Sequence, residues 1–233
     1  MNVIITGASR GFGFSIAQQF ATNGYNLYLC SKNAENLKKA AEILQAKFPS
    51  VTIKTYAKDL SNKSDSIAFG KQLIDEKIAV DVLINNAGSF TPGSVYNELD
   101  MALEEMMNVN LYSAYHLTRT LLPAMMDRKS GHIFNMCSIA SIQAYRNGGA
   151  YSISKFAMLG FSKNLREEMK PHNIKVTAVL PGAAYTDSWR NSGVDPKRIM
   201  EADDVARLIF SASQLSSQAC VEEIVVRPQL GDL

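Results

Sequence analysis

Short runs of β-branched and apolar residues alternate with longer amphipathic stretches from one end of this chain to the other. Most of the short runs are apolar on both faces, as Val82-Leu83-Ile84 shows, and strands buried on both faces belong to parallel sheets covered by helices. Strand and helix in repeated succession connect through right-handed crossovers. The pattern therefore predicts an α/β protein with a doubly wound parallel sheet of about seven strands and helices on both faces. The predicted strands cover residues 3–6, 26–30, 51–56, 80–85, 132–137, 174–180 and 223–226.

The amphipathic stretches predict the helices that cover this sheet. The first carries Ile16, Ala17, Phe20 and Ala21 on one stripe and ends at Gly24, a suitable C-terminal cap. No repeat, low-complexity tract or linker rich in Pro, Gly and Ser interrupts the alternation, so we expect a single domain over residues 1–233. The other predicted helices cover about residues 34–47, 63–77, 99–126, 151–170 and 202–214.

Length, charge and cysteine usage limit the classes of protein to which the chain can belong. Its 233 residues, 46% of them hydrophobic, suffice for one substantial domain. A net charge of +2 without a dense Lys/Arg cluster argues against nucleic acid and membrane surfaces as partners. We find neither an apolar run of about 20 residues nor a signal peptide. The three cysteines, Cys30, Cys137 and Cys220, have no metal-site spacing and favour reduced thiols in the cytoplasm.

A glycine-rich turn follows the first predicted strand. In the stretch Thr6-Gly7-Ala8-Ser9-Arg10-Gly11-Phe12-Gly13, Gly7 allows a sharp turn, Gly11 brings bare backbone against a pyrophosphate, and Gly13 lets helix and strand pack closely. The phosphates then meet free N–H groups and the positive end of the helix dipole. A glycine turn alone often serves only geometry, but one between a buried strand and an amphipathic helix indicates a nucleotide site.

Tyr151 and Lys155 lie four residues apart on a predicted helix, so their side chains share one face. An ammonium beside a phenol favours the phenolate, and such a tyrosine can exchange a proton with a substrate oxygen. Ser138 follows the strand predicted at residues 132–137, at the sheet edge where ligands bind, and its hydroxyl can hold the same oxygen. Taken alone, a Tyr-x-x-x-Lys pair is usually an ordinary helix surface.

With the glycine turn, these residues make the chain resemble the short-chain dehydrogenase/reductase family. Residues 6–13 are similar to its Thr-Gly-x-x-x-Gly-x-Gly cofactor turn, and Asn85-Asn86-Ala87-Gly88 is similar to its Asn-Asn-Ala-Gly signature. Asn110 stands where the family keeps its catalytic asparagine, so that the resemblance implies a catalytic tetrad of Asn110, Ser138, Tyr151 and Lys155. Pro181-Gly182-Ala183-Ala184-Tyr185-Thr186 resembles the segment that grips the nicotinamide. The implied fold is Rossmann-like, in agreement with the alternation.

The resemblance also implies cofactor and substrate residues and no metal. Asp59 matches a family position whose carboxylate accepts from the adenine amine; a helix cap is the alternative. Arg146 either meets a substrate anion or is a solvated loop charge. The expected substrate-lining residues, in part within a segment at about 183–200, are Phe90, Tyr145, Tyr185 and Trp189. The expected cofactor-binding residues are Thr6, Gly7, Ser9, Arg10, Gly11, Phe12, Gly13, Ser31, Lys32, Asp59, Leu60, Asn86, Ala87, Gly88, Tyr151, Lys155, Pro181, Gly182 and Thr186.

The residues after the second strand bear on which cofactor is bound. An NAD-selective site places Asp or Glu there to bind both ribose hydroxyls, whereas this chain has Ser31 and Lys32. Ser31 can donate to a 2′-phosphate, Lys32 can neutralise it, and Arg10 points to the same corner in the family. We therefore predict NADP(H) over NAD(H). The alternative is that Lys32 and Arg10 are merely solvated.

The predicted function is hydride transfer between NADP(H) and a carbonyl or secondary alcohol of a small molecule, such as a ketone or a pteridine-type carbonyl. A 3-oxoacyl thioester is the alternative substrate, but residues 221–228 lack the paired glycines of many fatty-acid-synthesis relatives and look more like bacterial sepiapterin-reductase-like members. An NADP(H)-binding redox sensor should have a broken tetrad, and a sugar-nucleotide epimerase needs more than the 47 residues that follow Thr186.

Two predicted helices suggest self-association. The helices at residues 99–126 and 151–170 carry apolar residues on more than one side, and such a helix is either buried by further chain or meets another subunit. Family resemblance favours a homodimer or homotetramer built from this pair. The residues that suggest it are Met106, Met107, Leu111, Tyr115 and Leu122 on the first helix and Phe156, Met158, Leu159 and Phe161 on the second.

Overall fold

A computed structural model describes residues 1–186 and 193–233 of the protein. Its strands are β1 Asn2–Thr6, β2 Asn26–Ser31, β3 Ile53–Ala57, β4 Val82–Asn85, β5 Gly131–Met136, β6 Ile174–Pro181, β7 Ala184–Tyr185, β8 Met200–Glu201 and β9 Glu223–Val226. Its α-helices are α1 Gly11–Thr22, α2 Ala34–Lys47, α3 Lys63–Asp75, α4 Ala102–Met107, α5 Ser113–Arg128, α6 Gly149–Met169 and α7 Ala202–Ser213.

Seven parallel strands form the main sheet in the order β3-β2-β1-β4-β5-β6-β9. The predicted α/β fold with a doubly wound parallel sheet is thus confirmed. Strand order reverses at β1, which pairs with β2 on one side and with β4 on the other. Ligands of such sheets bind outside the carboxyl ends of the strands at this switch point.

The helices bury apolar stripes on both faces of the sheet, because its strands are apolar on both faces. On one face, Phe20 of α1, Leu37 of α2 and Ile209 of α7 pack in one cluster with β-strand residues. On the other face, Phe69 of α3 and Leu117 of α5 belong to a second cluster. Both faces of the sheet are therefore closed, and its carboxyl-end edge is left for chemistry.

The helix predicted over residues 99–126 is not continuous. It begins at Ala102, changes to a π-helical turn over Asn108–Tyr112, and continues as α5 to Arg128. A π turn inserts an extra residue into a helix and is frequently found at functional sites. This one places Asn110 in the interior, where it is 1% exposed.

Two short strands lie apart from the main sheet. Ala184–Tyr185 pairs with Met200–Glu201, so the segment predicted to bind substrate begins and ends on a two-stranded ribbon. Strands of two residues have no alternating pattern of their own, and the sequence did not predict them. Within the described ranges, no helix combines the length and the apolar composition needed to cross a membrane.

Candidate active site

The glycine turn has the geometry that its spacing predicts. Gly7 and Gly11 adopt φ values of +63° and +55°, in the left-handed region that favours glycine. A Cβ on Gly13 would collide with the carbonyl oxygen of Gly7. Helix α1 therefore starts directly on the end of β1, and its first N–H groups face the switch point.

Asn86 braces this turn from the neighbouring strand. Its Nδ2 donates to the carbonyl oxygens of Thr6 and Gly7 at 2.9 and 3.1 Å. The hydroxyl of Thr6 in turn accepts from the main-chain N–H groups of Asn86 and Ala87, both at 2.9 Å. Thr6 and Asn86 thus hold the two loops of the switch point together.

The residues expected around the adenosine ribose lie close to one another. The hydroxyls of Ser9 and Ser31 are 3.0 Å apart, which joins the glycine turn to the end of β2. Lys32 Nζ lies 2.7 Å from the carboxylate of Asp59, and the lysine side chain is 77% exposed. Arg10 is exposed and directly precedes α1.

Asp59 does not cap α3, so the helix-cap alternative is wrong. The N-cap residue of that helix is Asn62, whereas the Asp59 carboxylate accepts from the main chain and hydroxyl of Ser61 at 3.2 and 2.6 Å. Burial works against its charge, but the hydrogen bonds from Lys32 and Ser61 outweigh burial and lower the pKa of Asp59. A charged carboxylate therefore stands at the position expected to meet adenine.

Tyr151 and Lys155 lie on the first turns of α6, as the spacing predicts. Lys155 is buried, and its Nζ donates to the main-chain oxygen of Met136 at 2.8 Å. The same Nζ lies 5.7 Å from the centroid of the Tyr151 ring. The two side chains therefore lie close together on one face of α6, as residues four apart should.

Asn110 is held by hydrogen bonds on both sides of its amide. Its Oδ1 accepts from Ser89 N at 2.8 Å, and its Nδ2 donates to Ser89 O at 3.1 Å and to Ser154 Oγ at 2.9 Å. Ser154 donates to the carbonyl oxygen of Tyr151 at 2.7 Å. Asn110 is thereby linked to the helix that carries Tyr151.

Ser138 is buried just past the end of β5. Its hydroxyl accepts from Ala140 N at 3.1 Å and so caps the 3₁₀ turn Ile139–Ser141. A hydroxyl that accepts from a main-chain N–H keeps its own hydrogen to donate. Ser138 can therefore still donate to a substrate oxygen.

Several other expected cofactor residues lie at the same edge of the sheet. A Cβ on Gly88 would lie 3.1 Å from Asn110 Oδ1 and 3.7 Å from Lys155 Nζ, and one on Gly11 would lie 3.6 Å from the Thr186 side chain. Pro181 ends β6, and Gly182 N donates to Val226 O at 2.8 Å. By contrast, the side chains of Phe12, Leu60 and Ala87 pack on the core, which leaves their main chains to face a cofactor.

Aromatic rings stand around Tyr151. Phe90 meets it edge-on with ring centroids 4.9 Å apart. Tyr145 lies close enough to Tyr151 to interact with it electrostatically, although burial is the main cause that raises the pKa of Tyr145 to about 12. Tyr185 lies on β7. Trp189 falls outside the described residues, and Arg146 is exposed.

Sequence reasoning missed three partners of the site. Ser154 and the Met136 carbonyl hold Asn110 and Lys155, and Glu98 bonds to the start of α6. Main-chain oxygens carry no sequence signal, and a lone Ser or Glu is too common to single out.

Of the three histidines, His132 is buried against Thr177, and no group of three or more His, Cys, Asp or Glu among the described residues can hold a metal ion.

Comparison with known proteins assigns this arrangement to a family. The profile of the short chain dehydrogenases matches residues 1–197. The chain belongs to the short-chain dehydrogenase/reductase family. It is accordingly a nicotinamide-dependent oxidoreductase that acts on CH–OH and C=O groups, and the resemblance drawn from its motifs is confirmed.

Similar family members cover nearly the whole chain. A sepiapterin reductase from Chlorobaculum tepidum is 30% identical over 239 residues, which span 99% of this chain and 97% of the relative. A 3alpha-hydroxysteroid dehydrogenase from Mediterraneibacter gnavus is 30% identical over 234 residues, 96% of this chain and 94% of the relative. A metagenomic short-chain oxidoreductase crystallised in complex with NADP superposes with a TM-score of 0.86 at 29% identity, with coverage of 98% and 97%.

Proposed function

We propose that this protein reduces the carbonyl group of a small molecule, a ketone or a pteridine-type carbonyl, with NADPH. One observation carries the proposal: Lys155, buried beneath the Tyr151 ring, is anchored to the end of the strand that leads into Ser138. Phenol, ammonium and hydroxyl therefore stand at one edge of the sheet. Hydride-transfer enzymes depend mainly on such placement, because the hydride chemistry belongs to the cofactor.

Each member of the tetrad has a distinct proposed role. Ser138 donates a hydrogen bond to the substrate carbonyl, and Tyr151 gives its phenol proton to the forming alkoxide. Lys155 stabilises the phenolate that remains. Both amide hydrogens of Asn110 are donated to Ser89 and Ser154. Its Oδ1 accepts from Ser89 N and keeps a second lone pair, through which Asn110 holds the proposed proton-supplying water.

The described residues fit a dinucleotide. At Gly7, Gly11 and Gly13 a side chain would strain the turn or fill the space over it, and the first N–H groups of α1 suit a pyrophosphate. Thr186 lies against Gly11, so the proposed nicotinamide segment and the phosphate turn face the same ligand. The nicotinamide, when bound, supplies or accepts the hydride.

A preference for NADPH follows from the charges near the expected ribose. Ser31 and Lys32 occupy the end of β2, where an NAD-selective site has a carboxylate. Arg10 stands on the glycine turn beside Ser9, which reaches Ser31. The similar metagenomic oxidoreductase was crystallised with NADP, which supports the same choice. Asp59 forms an ion pair with Lys32 and lowers the net positive charge there.

The substrate class rests on the aromatic rings and on one relative. Phe90 packs edge-on against Tyr151, Tyr145 lies nearby, and both rings could offer apolar and edge contacts to a planar substrate. The sepiapterin reductase that resembles this chain spans it almost completely. We propose that the segment at about 183–200 binds the substrate, with Tyr185 as its described aromatic residue. Trp189, also expected to line the substrate, lies outside the described residues.

We further propose self-association through the outer faces of α5 and α6. Ile153 and Phe156 are 43% and 46% exposed, and Gly160 lies next on the same stripe of α6 with open space where its Cβ would be. Met106, Met158 and Leu159 are buried within the chain, so their expected part in this contact is wrong.

The reduced cysteines are proposed to reflect a cytoplasmic location.

The test of the proposed function is a substrate panel with NADPH. Ketones, diketones, pteridines and 3-oxoacyl thioesters are offered to the protein, and NADPH oxidation is followed with the Tyr151→Phe variant as the blank. We expect the wild-type protein to turn over a ketone or a pteridine of the panel, and we expect the Tyr151→Phe variant not to. Turnover of thioesters alone would change the substrate class. NADPH binding without turnover of any compound would favour a redox sensor.

A further inference from the structure

Helix α6 begins without a capping side chain at its N-cap residue, because that residue is Gly148. The first N–H groups of a helix need partners from outside its own hydrogen-bond ladder. Oε2 of Glu98, which lies in the chain between β4 and α4, accepts from Ala150 N at 3.0 Å. Ala150 directly precedes Tyr151. A carboxylate distant in sequence therefore does the work of an N-cap for the catalytic helix.

Two glycines make room for this contact. A Cβ on Gly149 would collide with Glu98 Oε2 and would lie 2.7 Å from Gly93 O. A Cβ on Gly93 would lie 2.7 Å from Glu98 Cβ. The loop that carries Glu98 and the start of α6 therefore approach more closely than side chains would allow.

The same loop, residues 89–98, contacts the start of α6 at further points. Gly93 N donates to Asn147 O at 3.1 Å, and Ser94 Oγ donates to Asn147 Oδ1 at 2.9 Å. Phe90, near its other end, packs edge-on against Tyr151 itself. The loop thus holds both the backbone before Tyr151 and the ring of Tyr151.

We infer that Glu98 is a positioning residue, which fixes the first turn of α6 and so the phenol of Tyr151 by accepting the hydrogen bond from Ala150 N. The acceptor oxygen, and not the negative charge, is the property that the geometry requires. The kinetic effect expected of Glu98 rests on the proposed function, since Glu98 acts through the proton transfer assigned to Tyr151. The expected order in the first turn of α6 does not depend on the proposed function.

The experiment compares Glu98→Ala with Glu98→Gln, which keeps an acceptor oxygen without the charge. Glu104→Ala, an exposed carboxylate on α4, is the matched control. Hydrogen exchange of residues 148–152 is measured by mass spectrometry, with β1 as the reference for global opening. We expect faster exchange at residues 148–152 in Glu98→Ala, exchange near wild type in Glu98→Gln and Glu104→Ala, and no change in β1.

The kinetic arm uses the substrate found in the panel. Because a displaced catalytic group is costly, we expect Glu98→Ala to lower kcat about tenfold while KM and the Kd for NADPH stay within about twofold. Glu98→Gln should restore most of kcat. Unchanged exchange in Glu98→Ala, or exchange in Glu98→Gln as fast as in Glu98→Ala, would overturn the inference. If wild-type protein turns over no compound, the proposed function fails, and the exchange data alone decide the role of Glu98.

Discussion

The ammonium of Lys155 donates a hydrogen bond to the main-chain oxygen of Met136, 2.8 Å away at the end of β5. Ser138 lies two residues further along that chain, and Tyr151 lies one helical turn before Lys155. This single contact joins the catalytic helix to the strand end that carries the proposed carbonyl-binding hydroxyl. Displacement of α6 by a small amount would therefore disturb the lysine and the tyrosine together.

Replacement of Tyr151 by Phe is expected to remove turnover and spare cofactor binding. The phenol proton is lost, which typically costs ~10²- to 10⁴-fold in rate, whereas the ring can still pack against Phe90 and beside Lys155. Steady-state kcat and a fluorescence titration with NADPH check this. Tyr96→Phe, at a tyrosine that is 87% exposed, is the control. A variant that keeps more than about a tenth of wild-type kcat would refute the acid role of Tyr151.

NADPH is expected to bind more tightly than NADH, and the preference should be lost in Arg10→Ala/Lys32→Ala. Arg10 and Lys32 would form charge-assisted contacts with a 2′-phosphate that NADH lacks, so we expect the Kd for NADPH to be lower by about tenfold or more. Competing titrations at low ionic strength measure the ratio of the two constants. Added salt should reduce that ratio, since the contacts are ionic and near solvent. Equal constants in the wild-type protein would contradict the assignment.

Asp59→Asn separates two effects of the carboxylate that binds Lys32. Loss of an acceptor for the adenine amine weakens NADPH and NADH alike, but loss of the negative charge favours only the cofactor with a 2′-phosphate. We therefore expect the ratio of the Kd for NADH to that for NADPH to rise in this variant. The same titrations measure it, and a ratio that stays at the wild-type value would place Asp59 away from the 2′-phosphate.

Self-association is expected to depend on Phe156. A charge introduced by Phe156→Glu would have to be buried in the proposed contact between copies, which is costly. Light scattering at micromolar concentration should give two or four times 25.6 kDa for wild type and a smaller particle for the variant. Ile43→Glu, at an exposed residue of α2, controls for added charge. A wild-type mass of 25.6 kDa would reject the proposal.

His132 is expected to make the protein less stable in mild acid. Thr177 gives its one hydroxyl hydrogen to Val221 O, so His132 donates from Nε2 to Thr177 and a second proton would go onto the buried Nδ1. Burial, with Lys175 and Arg166 adding to it, lowers the pKa from 6.5 to about 3. Below about pH 6.5 only the unfolded chain takes up this proton, so folding loses about 1.4 kcal/mol per pH unit until the folded pKa is reached.

Urea unfolding of wild type and His132→Gln at pH 7 and pH 5 measures this effect, because carboxylates titrate in both proteins and cancel in the difference. The wild type should lose about 2 kcal/mol more than the variant between the two pH values. Equal losses would mean that His132 takes up its proton in the folded protein near its ordinary pKa.

The fold followed from the sequence because its main signals are periodic. Val82-Leu83-Ile84 is apolar on both faces, and a run this short between amphipathic helices indicates a strand buried on both sides. That Tyr151 and Lys155 share one face of a helix was predictable for a similar reason, since residues four apart lie on the same side. Their catalytic role was predicted only from the resemblance to the family. The ion pair of Lys32 with Asp59 was not, because it joins residues from different strand ends whose side-chain directions no local pattern encodes.

The limits of periodicity show most clearly in the predicted helix at residues 99–126. Its apolar residues seemed to occupy more than one side because a uniform α-helix was assumed, whereas the π turn at Asn108–Tyr112 shifts the phase between α4 and α5. Met106, which counted as surplus apolar surface, is buried once that shift is included. A single extra residue in a helix is not visible as a change in composition.

The π turn at Asn108–Tyr112 is locally less favourable than regular α-helix, but it places Asn110 in the interior. The surrounding sequence can form an ordinary α-helix, and the wide turn persists because Ser89 and Ser154 hold the amide of Asn110 in the interior. Removal of Val109 would let the chain relax into regular helix, because one residue fewer compensates for the wider turn. Helices α4 and α5 would then keep nearly their present faces, but Asn110 would leave its present position. We expect such a deletion to break the hydrogen bonds of Asn110 with Ser89 and Ser154, and with them its link to the helix that carries Tyr151. The chain thus keeps a locally less regular helix at the point where the tetrad needs an interior amide.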